Sequence, residues 1–244
     1  MKKTLLVLQF YEGDKAQGKH LTELICALQR GMSQEAGVLL ACRYDATIED
    51  DWVYQVARKF NVDTHTGRRR AHGWPFGPNE LWYDTIQWLY ENKATGRFNQ
   101  YDHALFLEPD DAPMCANWIE KIREGWAAAD QPCYVMGHIH DYAAGQTHVN
   151  GNAVFSLDEK FLFSIVRKHG GAPGVGWDVE WSPHFFKWGT RNTPLIRNCY
   201  ARNTLDEASF EFLRSQGCVM VHGVKDLSVL ALTRKKALGS GSLR

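Results

Sequence analysis

Three carboxylates close an apolar run in this chain: Ala104-Leu105-Phe106-Leu107 leads directly into Glu108-Pro109-Asp110-Asp111. Carboxylates this close repel one another unless they are protonated, solvated or neutralised by a cation. A divalent ion carrying a phosphorylated ligand meets that need with oxygen donors, although a plain solvated turn after a strand uses the same residue types. Far along the chain, His222-Gly223-Val224-Lys225 follows the apolar stretch Cys218–Val221. A neutral imidazole suits manganese beside carboxylates, glycine lets backbone approach closely, and a lysine ammonium can neutralise a phosphate. Alone, a strand-end His and a surface Lys are commonplace; their weight comes from co-occurrence with Glu108 and Asp110. A third candidate lies in Trp177-Asp178-Val179-Glu180-Trp181. An apolar, tryptophan-lined setting raises a carboxyl pKa toward the working range of a general base, and Asp178 is the preferred of the two acids. The plainer reading is a helix N-terminal acid beside core tryptophans.

These groups need elements that carry them to one place. Leu105-Phe106-Leu107 has no polar alternation and reads as a strand buried on both faces, stopped by Pro109, which has no N–H for the ladder. Ahead of it, Thr4–Phe10 reads as a strand, followed by a helix with Leu21, Leu24, Ile25 and Leu28 on one face. Gly37–Cys42 is a second strand, and Glu49-Asp50-Asp51 opens a helix to about Phe60 with its acids where the dipole favours them. Asn61–Thr64 is a third strand, and Asn79 is a candidate cap for a helix carrying Leu81, Thr85, Trp88 and Leu89. After the acidic strand comes a helix with Trp118, Ile119, Ile122 and Trp126. The β-α-β-α order predicts an α/β protein with a mostly parallel, doubly wound (Rossmann-type) sheet flanked by helices, whose strand carboxyl ends are where ligands bind. The second half differs: Tyr134–His140 and Asn152–Phe155 read as strands joined by the polar turn Ala143-Ala144-Gly145-Gln146, a small antiparallel element. Gly170, Gly171, Gly174 and Gly176 form a glycine-rich loop before Trp177, and Cys218–Val221 is a last strand. Residues 1–232 read as a single domain and 233–244 as a basic, disordered tail.

Bulk properties exclude little but are consistent. Lys+Arg and Asp+Glu both number 28, so there is no global charge favouring nucleic acid or a membrane surface. The six cysteines form no CxxC pair and sit mostly in apolar segments, as reduced core thiols of a cytoplasmic protein would. Met1-Lys2-Lys3 with its short apolar run imitates a signal peptide but lacks a cleavage region, and no stretch reaches the ~20 apolar residues of a membrane span. Three further patterns compete for attention. Gly13-Asp14-Lys15-Ala16-Gln17-Gly18-Lys19-His20 fits the GxxxxGK spacing of a phosphate loop, the basis of a kinase or NTPase alternative, but lacks the Ser or Thr that holds magnesium. His138-Ile139-His140-Asp141 puts two imidazoles on one strand face, where zinc or iron could bind. Arg68-Arg69-Arg70 and Lys235-Lys236 are either basic patches or ordinary solvated charge.

Taken together, a first strand ending in a polar loop, an apolar strand ending in a D-x-D-like acidic motif, an Asn-Gly element (His148-Val149-Asn150-Gly151-Asn152) and a late His-Gly-x-Lys resemble nucleotide-sugar glycosyltransferases of the GT-A fold. The ending is most similar to that of bacterial galactosyltransferases and glycogenin. The resemblance implies a GT-A-like fold and sugar transfer from a nucleotide-sugar donor, a UDP-sugar foremost, with Mn2+ or Mg2+ holding the donor diphosphate. It places the metal on Asp110 and His222, with Glu108 in the first acidic position where the usual residue is Asp. It places Lys225 on the diphosphate, Asn150 under the donor sugar, Gln9, Tyr11 and Asp45 near the base and ribose, and Asp178 at the acceptor. The acceptor it implies is a hydroxyl of a glycan, a lipid-linked sugar or a protein, or a hydroxylated pyrimidine in phage DNA. Two further classes share part of the pattern. A sugar-nucleotide nucleotidyltransferase also uses metal-bound carboxylates, and a non-catalytic carbohydrate-binding protein would hold its ligand without consuming a donor.

Overall fold

Alternate residues of the first strand feed two different cores. In the computed structural model, which describes residues 2–128, 132–141, 147–168, 174–199 and 204–238, β1 (Lys3–Phe10) sends Leu6, Leu8 and Phe10 to one face of the sheet and Leu5 and Val7 to the other. It pairs in parallel with β2 (Ala36–Cys42) on one side and β4 (Tyr101–Leu107) on the other. β3 (Asn61–Thr66) extends the sheet beyond β2. Apolar residues on both sides of these strands are what a sheet sandwiched between helices requires. α1 (Lys15–Leu28), α2 (Asp50–Ala57) and α4 (Trp118–Ala127) cover one face through Leu21, Trp52 and Trp118; α3 (Phe76–Ala94), α5 (Glu159–Lys168) and α6 (Trp177–Trp188) cover the other through Trp82, Phe161 and Trp177.

The seven-stranded sheet is completed by a hairpin. β6 (Val135–Asp141) and β7 (Thr147–Ser156) are antiparallel, and β7 inserts antiparallel beside β4. With β8 (Thr190–Asn192) parallel to β6, the order is β3-β2-β1-β4-β7-β6-β8, and β7 alone runs against the rest. That reversal has a consequence for the site. Leu105 pairs with Val154, so the earlier residues of β7, His148 to Asn152, lie toward the carboxyl end of β4. The turn 143–146 and Gly170 and Gly171 fall outside the described residues.

Three expectations from the sequence are corrected. The late strand is β10 (Met220–His222), two residues later than expected, and it does not join the main sheet. It forms a second sheet between β5 (Ala112–Pro113), to which it is antiparallel, and β9 (Ile196–Asn198), to which it is parallel. Second, the chain does not end its order at residue 232. α8 (Ser228–Thr233) continues as a π-helical turn through Leu238, where Lys236 pairs with Glu207 and Glu211 of α7 (Glu207–Ser215); those ion pairs give the basic segment a place to dock. Third, Asn79 does not cap its own helix. It lies inside α3 and is buried, its Nδ2 donating to Val175 O at 2.8 Å while its Oδ1 accepts from Trp177 N at 2.7 Å. Asn79 thus satisfies a free N–H at the start of α6, and Trp82 stacks on Trp177 with centroids 4.2 Å apart.

Removing the Asn79 amide strands a part-buried carbonyl and a buried N–H. Asn79→Ala is expected to lower the unfolding free energy by about 1–3 kcal/mol, read as a reduced urea midpoint with an unchanged slope.

Candidate metal and donor site

The turn after β4 is organised by its most deeply buried acid. Asp111 Oδ2 accepts from Glu108 N at 2.7 Å and from Asn152 Nδ2, and Asp111 N donates to Glu108 O at 3.0 Å. Burial pushes the Asp111 carboxyl well above the usual range, against the pull of His222, with Asp110 adding to the rise. This buried carboxyl is the brace that ties the acidic turn to β7. Because Ala112, the next residue, pairs with Val221 of β10, the following residue of β10 is delivered to the acidic turn. His222 Nε2 lies 3.2 Å from Glu108 Oε2 and 3.3 Å from Asp110 Oδ1. The juxtaposition expected from sequence is present, but an antiparallel two-residue ladder creates it rather than a shared edge of one parallel sheet.

Electrostatics follow from this packing. Burial opposes ionisation of Asp110, yet His222 and Lys225, whose ammonium donates to Asp110 Oδ2, hold its carboxyl well below the usual range. Burial likewise disfavours a charged His222, but Asp110 and Glu108 outweigh it and raise the imidazole pKa well above its ordinary value. Gly223 has φ +87°, a left-handed conformation that a side chain would strain; it turns the chain so that Lys225 reaches back to Asp110. Glu108, Asp110 and His222 each offer a donor atom within 4.8 Å of the others, the one such grouping of three or more His, Cys, Asp or Glu among the described residues. Two carboxylate oxygens and one imidazole nitrogen suit manganese or magnesium. The two distances from His222, 3.2 and 3.3 Å, are close to the roughly 3 Å expected between adjacent ligands around an ion with bonds of about 2.1 Å. The residues present fit a divalent cation.

The remaining candidates surround this group. Asn150 is buried on β7, where its Oδ1 accepts from Asn152 N, and Glu108 Oε1 lies 3.6 Å from where a Cβ on the neighbouring Gly151 would sit. Asp178, on the first turn of α6, has Oδ2 3.8 Å from His148 Nε2. Burial raises its carboxyl pKa, His148 opposes the rise and Glu108 adds to it. At the carboxyl ends of β1 and β2 a second group forms. Arg43 lies over the Tyr11 ring at 4.9 Å and makes a two-pronged ion pair with Asp45 at 2.6 and 2.7 Å, and His72 approaches Asp45 at 3.7 Å. Gln9 stands apart: its amide donates to Thr85 Oγ1 at 2.8 Å and to Leu81 O at 3.3 Å, which turns it toward α3.

Sequence reasoning did not single out Asp14, Arg43, Asp111 or Asn152. Asp14 accepts from Tyr11 N, and burial, with Glu108 and Asp110 nearby, raises its carboxyl to about 7. Its position in the loop after β1 was the available signal. The competing patterns fare less well. Gly18 and Lys19 lie inside α1 rather than in a loop before it, and Lys19 pairs with Glu49 at 3.3 Å and lies over Trp52, so no phosphate cradle forms. His138 instead faces Asn198 N and Arg197, each at 3.2 Å. Arg69 pairs with Glu80 at 3.2 Å and covers Tyr83. Cys26, Cys42, Cys115, Cys133 and Cys218 are free thiols. No helix among the described residues is long and apolar enough to cross a membrane.

The brace has a specific test. Asp111→Ala strands two donors and is expected to destabilise the fold by about 1–3 kcal/mol, whereas Asp111→Asn, which matches a neutral acid in shape, should cost under about 1 kcal/mol; denaturant unfolding of both variants separates the two.

No family profile and no curated protein matches this sequence. Solved structures do. A bifunctional glycosyltransferase, WbbM, superposes with TM-score 0.55 at 11% identity over 91% of this chain and 45% of that one. A glycosyltransferase involved in glycosylation of the major capsid of PBCV-1 gives 0.52 at 11% identity over 95% and 97%. The galactosyltransferase LgtC, solved with donor and acceptor sugar analogs, gives 0.51 at 11% identity over 89% and 86%. The chain spans about half the length of WbbM and of the glycosyltransferase GlyE from Streptococcus pneumoniae TIGR4, at 45% and 55%. Sheet order, inserted antiparallel strand and neighbours agree: this chain has the GT-A glycosyltransferase fold.

Proposed function

We propose that the protein transfers a sugar from a nucleotide-sugar donor, a UDP-sugar in the first instance, to an acceptor hydroxyl, with a divalent cation held by Glu108, Asp110 and His222. The observation that carries this reading is the convergence of those three side chains, from segments more than a hundred residues apart, with Lys225 beside them. When bound, the cation would supply Lewis-acid stabilisation of the diphosphate leaving group. The rest falls to the chain itself. Lys225, beside Asp110, sets its ammonium against the departing diphosphate. Asp178, with its raised pKa, accepts the proton as the acceptor oxygen attacks the anomeric carbon and the bond to the diphosphate breaks with its electron pair. Asn150 on β7 supports the donor sugar, and Tyr11 and Asp45 with Arg43 border the nucleoside.

The phosphate-loop reading loses support because its Lys19 is inside a helix and ion-paired. A nucleotidyltransferase would want a basic glycine-rich loop after the first strand, and the loop here carries Glu12 and Asp14.

The test is nucleotide release from UDP-glucose, UDP-galactose and UDP-N-acetylglucosamine, with manganese and with chelator. Slow, manganese-dependent UDP release is expected, falling about 10–100-fold or more in Asp110→Asn and in His222→Ala. Turnover indifferent to chelator would refute the metal assignment, and silence across UDP-, GDP- and CMP-sugars would leave a carbohydrate-binding role in its place.

A further inference from the structure

The large apolar side chain with the greatest exposure in the described chain lies beside Asp178. Trp74, in the loop between β3 and α3, is 75% exposed. A Cβ placed on Gly176 would sit 2.6 Å from Asp178 Oδ1 and 3.3 Å from Trp74 Cη2. The indole edge and the carboxylate therefore flank the same glycine, and a side chain there would push them apart. Phe76 and Val175, each a little under half exposed, border the same loop bases. The Asn79 side chain holds Val175 O and Trp177 N to α3, so the stretch carrying Gly176 and Asp178 and the helix that Trp74 precedes are clamped together. This is a fixed apolar plate beside the residue proposed to take the acceptor proton.

Resting on the glycosyl-transfer reading above, we infer that Trp74 is the platform of the acceptor subsite and that the acceptor presents a neutral pyranose ring. An indole face covers the C–H face of a sugar while leaving its hydroxyls at the rim open to a carboxylate. Charge selects between sugar and nucleic acid, since an indole would also stack a base. Asp178 lies within electrostatic reach of Glu108, and Asp14 within reach of Glu108 and Asp110. Bringing a phosphate backbone against the Asp178 side of the site is unfavourable, and Arg69 of the loop before α3 is engaged by Glu80. A neutral hydroxyl-bearing ring meets no such opposition.

Saturation-transfer NMR on the full chain, with manganese and UDP present to fill the donor site, tests this using methyl β-galactoside, methyl α-glucoside and methyl N-acetyl-β-glucosaminide as probes. Oligothymidylate and a short DNA duplex form the nucleic-acid arm. At least one glycoside should bind, with affinity reduced about tenfold or more in Trp74→Ala, less in Trp74→Phe, and not at all in Tyr54→Ala, which removes a comparably exposed aromatic from α2. No glycoside binding, glycoside binding indifferent to Trp74→Ala, or nucleic-acid binding that Trp74→Ala abolishes would each overturn the inference. UDP release measured on the same wild-type preparation keeps the two readings apart: its absence beside Trp74-dependent glycoside binding refutes transfer and not the platform.

Discussion

Charge crowding at the end of β4 organises this molecule. Glu108, Asp110 and Asp111 cannot all be ionised, dry and unpartnered, and each is relieved differently. Asp111 is buried, which pushes its carboxyl pKa up, and its oxygen becomes the hub for a backbone N–H and for Asn152. Asp110 is buried and ionised, held by His222 and Lys225. Glu108 keeps nearly half its side chain in water. Two of these solutions are also tertiary connections, one to β7 and one to β10. Electrostatic relief and the joining of distant segments are here the same set of contacts, and removing either acid's partners would both raise its energy and loosen the fold.

How far the sequence reveals this depends on the kind of signal. Strands buried on both faces announce themselves as unbroken apolar runs, and β1, β2 and β4 do so. Helices on each side follow from the spacing of Leu21, Leu24, Ile25 and Leu28 and of their counterparts. What local pattern cannot carry is pairing. Met220 and Val221 look like any buried strand, and nothing in them says that their partners are Ala112-Pro113 and Ile196-Arg197 rather than β4. The prediction that His222 meets Asp110 holds on chemical grounds, since an imidazole and a lysine beside unpaired acids need each other, while the route by which they meet was not legible.

Asn79 and Lys19 make the same point from side chains. Asn79 has the right chemistry for a cap, and it does satisfy a helix N-terminus, but of α6, nearly a hundred residues on. Lys19 has the right spacing for a phosphate loop, yet the helix starts four residues earlier and Glu49 takes its charge. Spacing specifies a motif only when the backbone around it is loop where loop is needed. Acids whose roles are structural, such as Asp111, are the hardest to sort from functional neighbours. Burial separates them, and burial is a property of the fold rather than of the triplet.

The charge balance of the cluster also bears on how the proposed donor would be received. As the structure stands, the Glu108 and Asp110 carboxylates face the His222 imidazole and the Lys225 ammonium. His222 can serve as a ligand only after losing its proton, because a ligating nitrogen needs its lone pair. In the proposed reading, cation binding would compete with the ion pairs that Asp110 makes with His222 and with Lys225, whose side chain is 60% exposed. Affinity for the cation alone would be modest, since it displaces two favourable partners, and affinity for cation and diphosphate together would be higher than either separately. In the proposed reading the same four side chains would therefore serve both the metal and the donor.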